Sequence, residues 1–231
     1  MCINYVAVGK QTLQDHFDAL VNSPDEWSDE VYQDYLAPIL IADPSGRRAA
    51  LPAGYGMVPK RHIPPDMKRY STMNARAETI AERPSYALPW RRGQLCLVPM
   101  HAYFEPNWET GSAVRWRIGM ADDAPFAVAG LYRAWQEADG SQAFSFTQLT
   151  VNADEHPLMK RFHRPEDEKR SLVIIPRTGY DEWLTCRNPE QARAYLQTHP
   201  AELMAAAPDP KPAAARVSKR VVKEDLNGSL F

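Results

Sequence analysis

Cysteine is scarce in this chain. Only Cys2, Cys96 and Cys186 occur in 231 residues. An odd and widely separated set builds no disulfide framework, and none of the spacings is that of a zinc site, so no metal is expected. No run of 18 apolar residues exists, and the first residues lack a basic stretch leading into an apolar one. Neither a membrane span nor a secretory signal is indicated, and the expected location is the cytoplasm. A basic excess is also missing: the formal net charge is −2. A chain of this balance carries any site for a polyanion as a local patch. Basic clusters do occur, at Lys60–His62, Arg91–Arg92, Lys160–Arg164 and Lys219–Arg220.

What is present is material for a core. With 44% hydrophobic and 10% aromatic residues, the chain can bury the interior of one sizeable domain. Residues 10–37 have helical character, in QTLQDHFDALV and in SPDEWSDEVYQDYL, whose Ser-Pro-Asp-Glu opening resembles an N-cap with proline at the first helical position. From there to about residue 180 the chain reads mainly as strands: APILIAD, LCLVPM, VRWRIGM, FAVAGLYRAW, SFTQLTV and SLVIIP are short runs of branched and aromatic residues between Pro, Gly, Asp and Ser clusters. Turn chemistry at residues 137–141 joins two of them as a hairpin. PEQARAYLQT reads as a helix, and residues 205–231, rich in Ala, Pro and Lys, read as a flexible tail after a domain spanning 1–204. The expected fold class is α+β, a β-rich single domain with a mixed, barrel-like antiparallel sheet and flanking helices.

Chemistry concentrates at a few positions. Met1 is followed by Cys2, a small residue that methionine aminopeptidase exposes as a new N-terminus. An N-terminal cysteine holds an amine beside a thiol, both titrating near neutral pH. Such a terminus can trap an aldehyde as a five-membered thiazolidine, or act as an amidohydrolase nucleophile with its amine as base. The competing reading is that Cys2 only begins a buried first strand, CINYVAV. STMNARAETI places Asn74, Arg76 and Glu78 at alternate positions, the period of one strand face. Glu105 ends the aromatic stretch Tyr103–Phe104, where a carboxyl can serve proton transfer or be a structural buried acid. His156 and His163 follow a strand-like run, and either could be an acid, a base or an ordinary histidine.

Taken in order, these landmarks resemble the SOS response-associated peptidase (SRAP) family, the abasic-site processing proteins. The similarity runs from Met1 to about Trp183. It rests on the Met-Cys start, YLAPILIAD, YGMVP at 55–59, NARAET at 74–79, LCLVPMHAYFE at 95–105, FAVAGLYRAW at 126–135, FTQLTVNA at 146–153 and a histidine before IIP. The resemblance implies that Cys2, Asn74, Glu105 and His163 are the functional set. His163 is chosen over His156 by its spacing before SLVIIP. It implies a β-rich domain that binds single-stranded DNA at abasic sites and becomes covalently attached through a Cys2 thiazolidine, with no cofactor, as a monomer. Asn74 would hold the Cys2 amine and a sugar or phosphate oxygen. Glu105 would shuttle protons and assist removal of Met1, His163 would act on the sugar oxygen, and Arg76 would contact a phosphate.

The chain departs from the family pattern at Ile3 and Asn4, where Gly and Arg are usual. Tyr55 stands for a Trp, Pro106 replaces the Trp expected after the glutamate, and the acidic and basic insertion EDEKR at 166–170 follows His163. Two other readings stand beside the covalent sensor: a thiol peptidase or amidohydrolase using Cys2, and a noncatalytic DNA-binding relative with a diverged groove.

Overall fold

The computed structural model describes residues 4–211. Twelve strands join in one sheet system, in chain order β1 (Tyr5–Ala7), β2 (Glu30–Val31), β3 (Leu36–Ala42), β4 (Arg48–Tyr55), β5 (Asn74–Arg76), β6 (Leu95–Asn107), β7 (Val114–Met120), β8 (Phe126–Gln136), β9 (Gln142–Asn152), β10 (Arg170–Leu172), β11 (Ile174–Ile175) and β12 (Met204–Pro208). The helices are short: α1 (Lys10–Asp15), α2 (Pro84–Arg91), α3 (Tyr180–Thr185) and α4 (Pro189–Arg193).

Five strands close a barrel in the order β3, β4, β9, β8, β6 and back to β3, the last seam made at Leu40 and Leu97. Closure leaves those strands without an open edge. The strand-rich class expected from sequence is the one found. Its sheet is mixed rather than antiparallel throughout, because β4 and β5 both run parallel to β9. Parallel neighbours need a long crossover, and the chain between β4 and β9 supplies one.

β6 shows why the apolar runs were legible. Leu95 and Leu97 face one core cluster with Trp90, Leu149 and Trp183, while Cys96, Val98 and Met100 face a second with Tyr5, Tyr55 and Phe146. A strand covered on both faces is apolar at consecutive positions rather than at alternate ones. The hairpin at 137–141 forms as expected: Glu137 N–H donates to the Ser141 carbonyl, and Gly140 takes the left-handed conformation.

Other expectations are corrected. SPDEWSDEVYQDYL is not helical. Ser23 Oγ accepts the Asp25 N–H at 3.1 Å, closing a local turn, and Val31 pairs with Tyr5. Trp27 donates its indole N–H to the Val8 carbonyl at 2.9 Å. Tertiary pairing overrides the capping signal here. PEQARAYLQT is helical only over Pro189–Arg193, capped by Asn188, and SLVIIP is divided between β10 and β11, which pair with β9 and β8. α2, in a region read as strands and turns, was not foreseen. The start of the expected tail, residues 205–208, is instead part of a strand: Met204–Pro208 pair with β7, since alanines lose little side-chain entropy on joining an edge. The rest of that tail, from residue 212, lies outside the described residues.

Close packing in the barrel wall yields a test. A Cβ on Gly130 would lie 2.8 Å from both Cys96 Sγ and the Thr147 carbonyl oxygen. Gly130→Val should therefore destabilise the protein by roughly 1–3 kcal/mol in chemical denaturation. Unchanged stability would contradict this packing.

Candidate active site

The second half of β6 leaves the barrel and changes partners. Residues 95–100 pair with β8, whereas Tyr103–Asn107 pair with β7, setting Glu105 opposite Trp116. On the other side β1 pairs Tyr5 with Tyr103, and Phe104 N–H donates to the Asn4 carbonyl at 3.2 Å. Glu105 is thereby flanked by two strands and is 3% exposed.

His163 reaches it by docking the segment after β9 onto the end of β6. Asn107 and Phe162 form an isolated bridge, and Asn107 Nδ2 donates to the Arg161 carbonyl at 3.1 Å. Arg161 is tied to Glu109 by two hydrogen bonds, and the Phe162 ring meets Trp116 edge-on at 5.9 Å. Pro106 has no N–H to place, but its carbonyl accepts the His163 N–H at 2.9 Å. His163 sits at φ +63°, in the left-handed region that histidine seldom adopts. These ties hold the ring 7% exposed with Nε2 3.1 Å from Glu105 Oε2, an ion-pair distance without hydrogen-bond alignment, while Nδ1 has no hydrogen-bond partner among the described residues. A buried carboxyl and imidazole in contact can pass a proton between them, and each offsets the other's loss of water.

His156 is built differently. Its Nε2 faces the His199 carbonyl at 2.8 Å, so that nitrogen carries the proton, and Nδ1 accepts the N–H groups of Leu158 and Met159. Both nitrogens are committed to fixing a turn. It is His163 that faces Glu105.

Asn74 and Arg76 come together elsewhere. β5 sets Ala75 into the core and points Asn74 and Arg76 the other way, where with Met67, Tyr70, Arg83 and Tyr86 they line a groove of about 550 Å³. Glu78, third in the alternation, lies beyond the strand and binds Arg170 instead. The groove and the acid–base pair are connected through packed aromatics. Asn74 is in register with Gln148, whose Oε1 accepts the Tyr55 hydroxyl at 3.0 Å. The Tyr55 ring meets Tyr5 edge-on at 5.4 Å, and Tyr5 pairs beside Tyr103, two residues before Glu105. Tyr55, where the family resemblance leads one to expect Trp, thus binds Gln148 through its hydroxyl.

Cys2 lies outside the described residues. Asn4, two residues along, is 4% exposed and donates through Nδ2 to Glu30. Arg115 and Lys211 also bind Glu30, so two cations stand beside the position where the family has arginine. Burial alone would raise the Glu30 carboxyl, but Tyr32, Lys211 and Arg115 hold it below the ordinary carboxylate range. Arg115 also stacks over Phe104 at 3.3 Å from the ring centroid.

Two residues at this site were not singled out from the sequence. Gln148 is fully buried, and its Nε2 has no hydrogen-bond partner among the described residues. Arg170, 2% exposed, bridges Glu78 and Glu168. The available signal was a polar residue inside an otherwise core-forming run, SFTQLTV and RSLVIIP. Among the described residues no group of three or more His, Cys, Asp or Glu could hold a metal ion.

The structure is thus a strand-rich barrel with a buried carboxyl–imidazole pair beside its first strand and a groove lined by Asn74 and Arg76 nearby. The family model for SOS response associated peptidase (SRAP) matches residues 1–224, and the chain belongs to that family. Abasic site processing protein YoqW of Bacillus subtilis is 31% identical over 140 residues, 59% of this chain and 59% of that protein. Abasic site processing protein YobE of the same organism is 31% identical over 151 residues, 62% of this chain and 65% of that one. The match thus spans about three fifths of the length of these relatives. A crystal structure of a protein from Bordetella bronchiseptica superposes with a TM-score of 0.80 at 31% identity, covering 90% of this chain and 99% of that one.

The backbone at His163 can be tested apart from its ring. His163→Gly and His163→Ala both remove the imidazole, but only alanine retains a Cβ in the left-handed region. The glycine variant should be the more stable by about 1 kcal/mol in urea titration. Equal stabilities would mean that the conformation is not fixed by the fold.

Proposed function

We propose that this protein processes abasic sites in DNA by becoming covalently attached to them through Cys2 after loss of Met1. The observation that carries the reading is the buried Glu105–His163 pair, 3.1 Å apart, with Glu105 on the strand that hydrogen-bonds Asn4. Cys2 precedes Asn4 by two residues, a reach of at most about 7 Å.

The ring-opened sugar of an abasic site presents an aldehyde at C1′. The Cys2 amine adds to that carbon, and loss of water from the adduct gives an imine. Its oxygen leaves as water only after gaining a proton, which Glu105 supplies. The thiol then adds across the C=N bond: sulfur bonds to carbon, the thiol proton ends on nitrogen, and a thiazolidine closes. His163 serves ring opening by giving and taking the proton of the sugar oxygen, and Glu105 resets it across their shared contact. Asn74, which can donate and accept together, holds the amine and a neighbouring oxygen. Arg76 and Arg83 line a groove suited to the phosphodiester backbone of a single strand, with exposed Tyr70 available for a base to stack on. A local groove of this kind tolerates a net charge of −2.

The test is a denaturing gel of Met1-processed protein with a single-stranded oligonucleotide bearing one abasic site. The reading expects a heat-stable shifted band that Cys2→Ala abolishes and that Glu105→Gln forms on the order of a hundredfold more slowly. No band from protein with an intact Cys2 terminus would overturn it. Cleavage of a peptide substrate in that case would favour a thiol hydrolase.

A further inference from the structure

The EDEKR insertion places an acid on the groove's own cation. Arg76 Nη1 lies 2.8 Å from Glu168 Oε2. Pairs of this kind on a surface are usually loose, but this carboxylate is fixed from behind. Its Oε1 meets Arg170 Nη1 at 2.7 Å and the Asn152 Nδ2 donor at 3.2 Å. Arg170 is itself immobile: it is 2% exposed and held by both oxygens of Glu78 and by the Thr150 carbonyl. The residue between Glu168 and Arg170 is pinned as well, with Lys169 N–H on Asp154 and Ala153 N–H on the Lys169 carbonyl. Arg76, by contrast, is half-exposed and lines the groove with Asn74 and Arg83.

We infer that Glu168 is an affinity-setting residue, a built-in carboxylate that occupies the phosphate position at Arg76 and that a DNA phosphodiester must displace or share. The inference rests on the reading of the groove as a path for a phosphodiester backbone. A guanidinium accepts carboxylate and phosphate with the same fork of donors, so the two anions compete for one site. Since Glu168 is anchored on Arg170, it is Arg76 that has to turn. Burial favours the protonated form of Glu168, but Arg170, Asn152 and Arg76 outweigh it and keep the group ionised near neutral pH. The competition is therefore present under working conditions. Its consequence is selectivity: with the Arg76 contact weakened, intact strands are held less long, and productive residence falls to sites where Cys2 can react.

The experiment is fluorescence anisotropy with an intact single-stranded oligonucleotide, so that binding is read without covalent trapping. Arg170 keeps both oxygens of Glu78 in Glu168→Gln, and a thermal melt checks that this variant is folded. Glu168→Gln should bind about threefold or more tightly than the parent, as expected for removal of one competing ion pair. Glu166→Gln, the same charge change in the same exposed segment, should stay near the parent, and the gain should vanish in an Arg76→Ala background. No tightening in Glu168→Gln, an equal gain from Glu166→Gln, or a gain that survives loss of Arg76 would overturn the inference. Separately, Arg76→Ala alone should weaken binding and reduce the salt dependence by about one ion. If it does neither, the reading of the groove fails first.

Discussion

The backbone pairing of β6 is the constraint on which the rest depends. Its N-terminal half is a barrel stave, paired with β8 and meeting β3 at Leu97, and its C-terminal half is clasped by β1 and β7. Buried backbone groups have to be paired, so a thirteen-residue strand passing from one set of neighbours to another fixes where each neighbour lies. The first strand, the carboxyl of Glu105 and the docking place of Phe162 are all set by that one ladder. Pro99 and Pro106 sit in the strand without cost to the site because the carbonyl of Pro106 is still used, accepting the His163 N–H.

From this frame follows the energetic character of the site. Glu105 and His163 are removed from water together, an arrangement whose loss of solvation is large and is offset in part by their mutual contact on two rigid supports. The imidazole is carried on a left-handed residue, held by the Asn107–Phe162 bridge, the Arg161–Glu109 ion pair and the Trp116–Phe162 ring contact. Strain at a reactive group persists where the surroundings determine it so fully. The groove of Asn74 and Arg76 is the opposite case, open and lined by both apolar and polar side chains, with the Arg76 charge met by Glu168. In the proposed reading, the buried and rigid part serves chemistry and the open part serves binding.

The barrel strands were legible because runs such as LCLVPM and FAVAG are buried on both faces and carry no polar interruption. Glu105 stood out for the same reason, as an acid at the end of such a run. What could not be read were features decided by distant partners. The segment from Ser23 to Leu36 carries a helix-capping signal, yet Val31 is claimed by Tyr5 and Trp27 by the Val8 carbonyl. The alanines after Met204 have no apolar pattern to announce a strand, and only the edge of β7 makes them one. The alternation of Asn74 and Arg76 was visible in sequence. That Arg76 is met by Glu168 was not, because nothing local in EDEKR distinguishes Glu168 from Glu166. The choice between His163 and His156 turned on spacing alone, and the physical difference between them appears only in three dimensions, where His156 has both nitrogens committed to a turn.

The central claim is that the sugar of an abasic site ends on the amine and the sulfur of one residue. Peptide mass mapping of the reacted, nuclease-trimmed protein tests it most directly. The account predicts that the peptide beginning at Cys2 carries the sugar-phosphate mass with loss of one water, and that neither its amine nor its thiol reacts with selective reagents. An unmodified Cys2 peptide, with the sugar on a lysine or on Cys186, would contradict it.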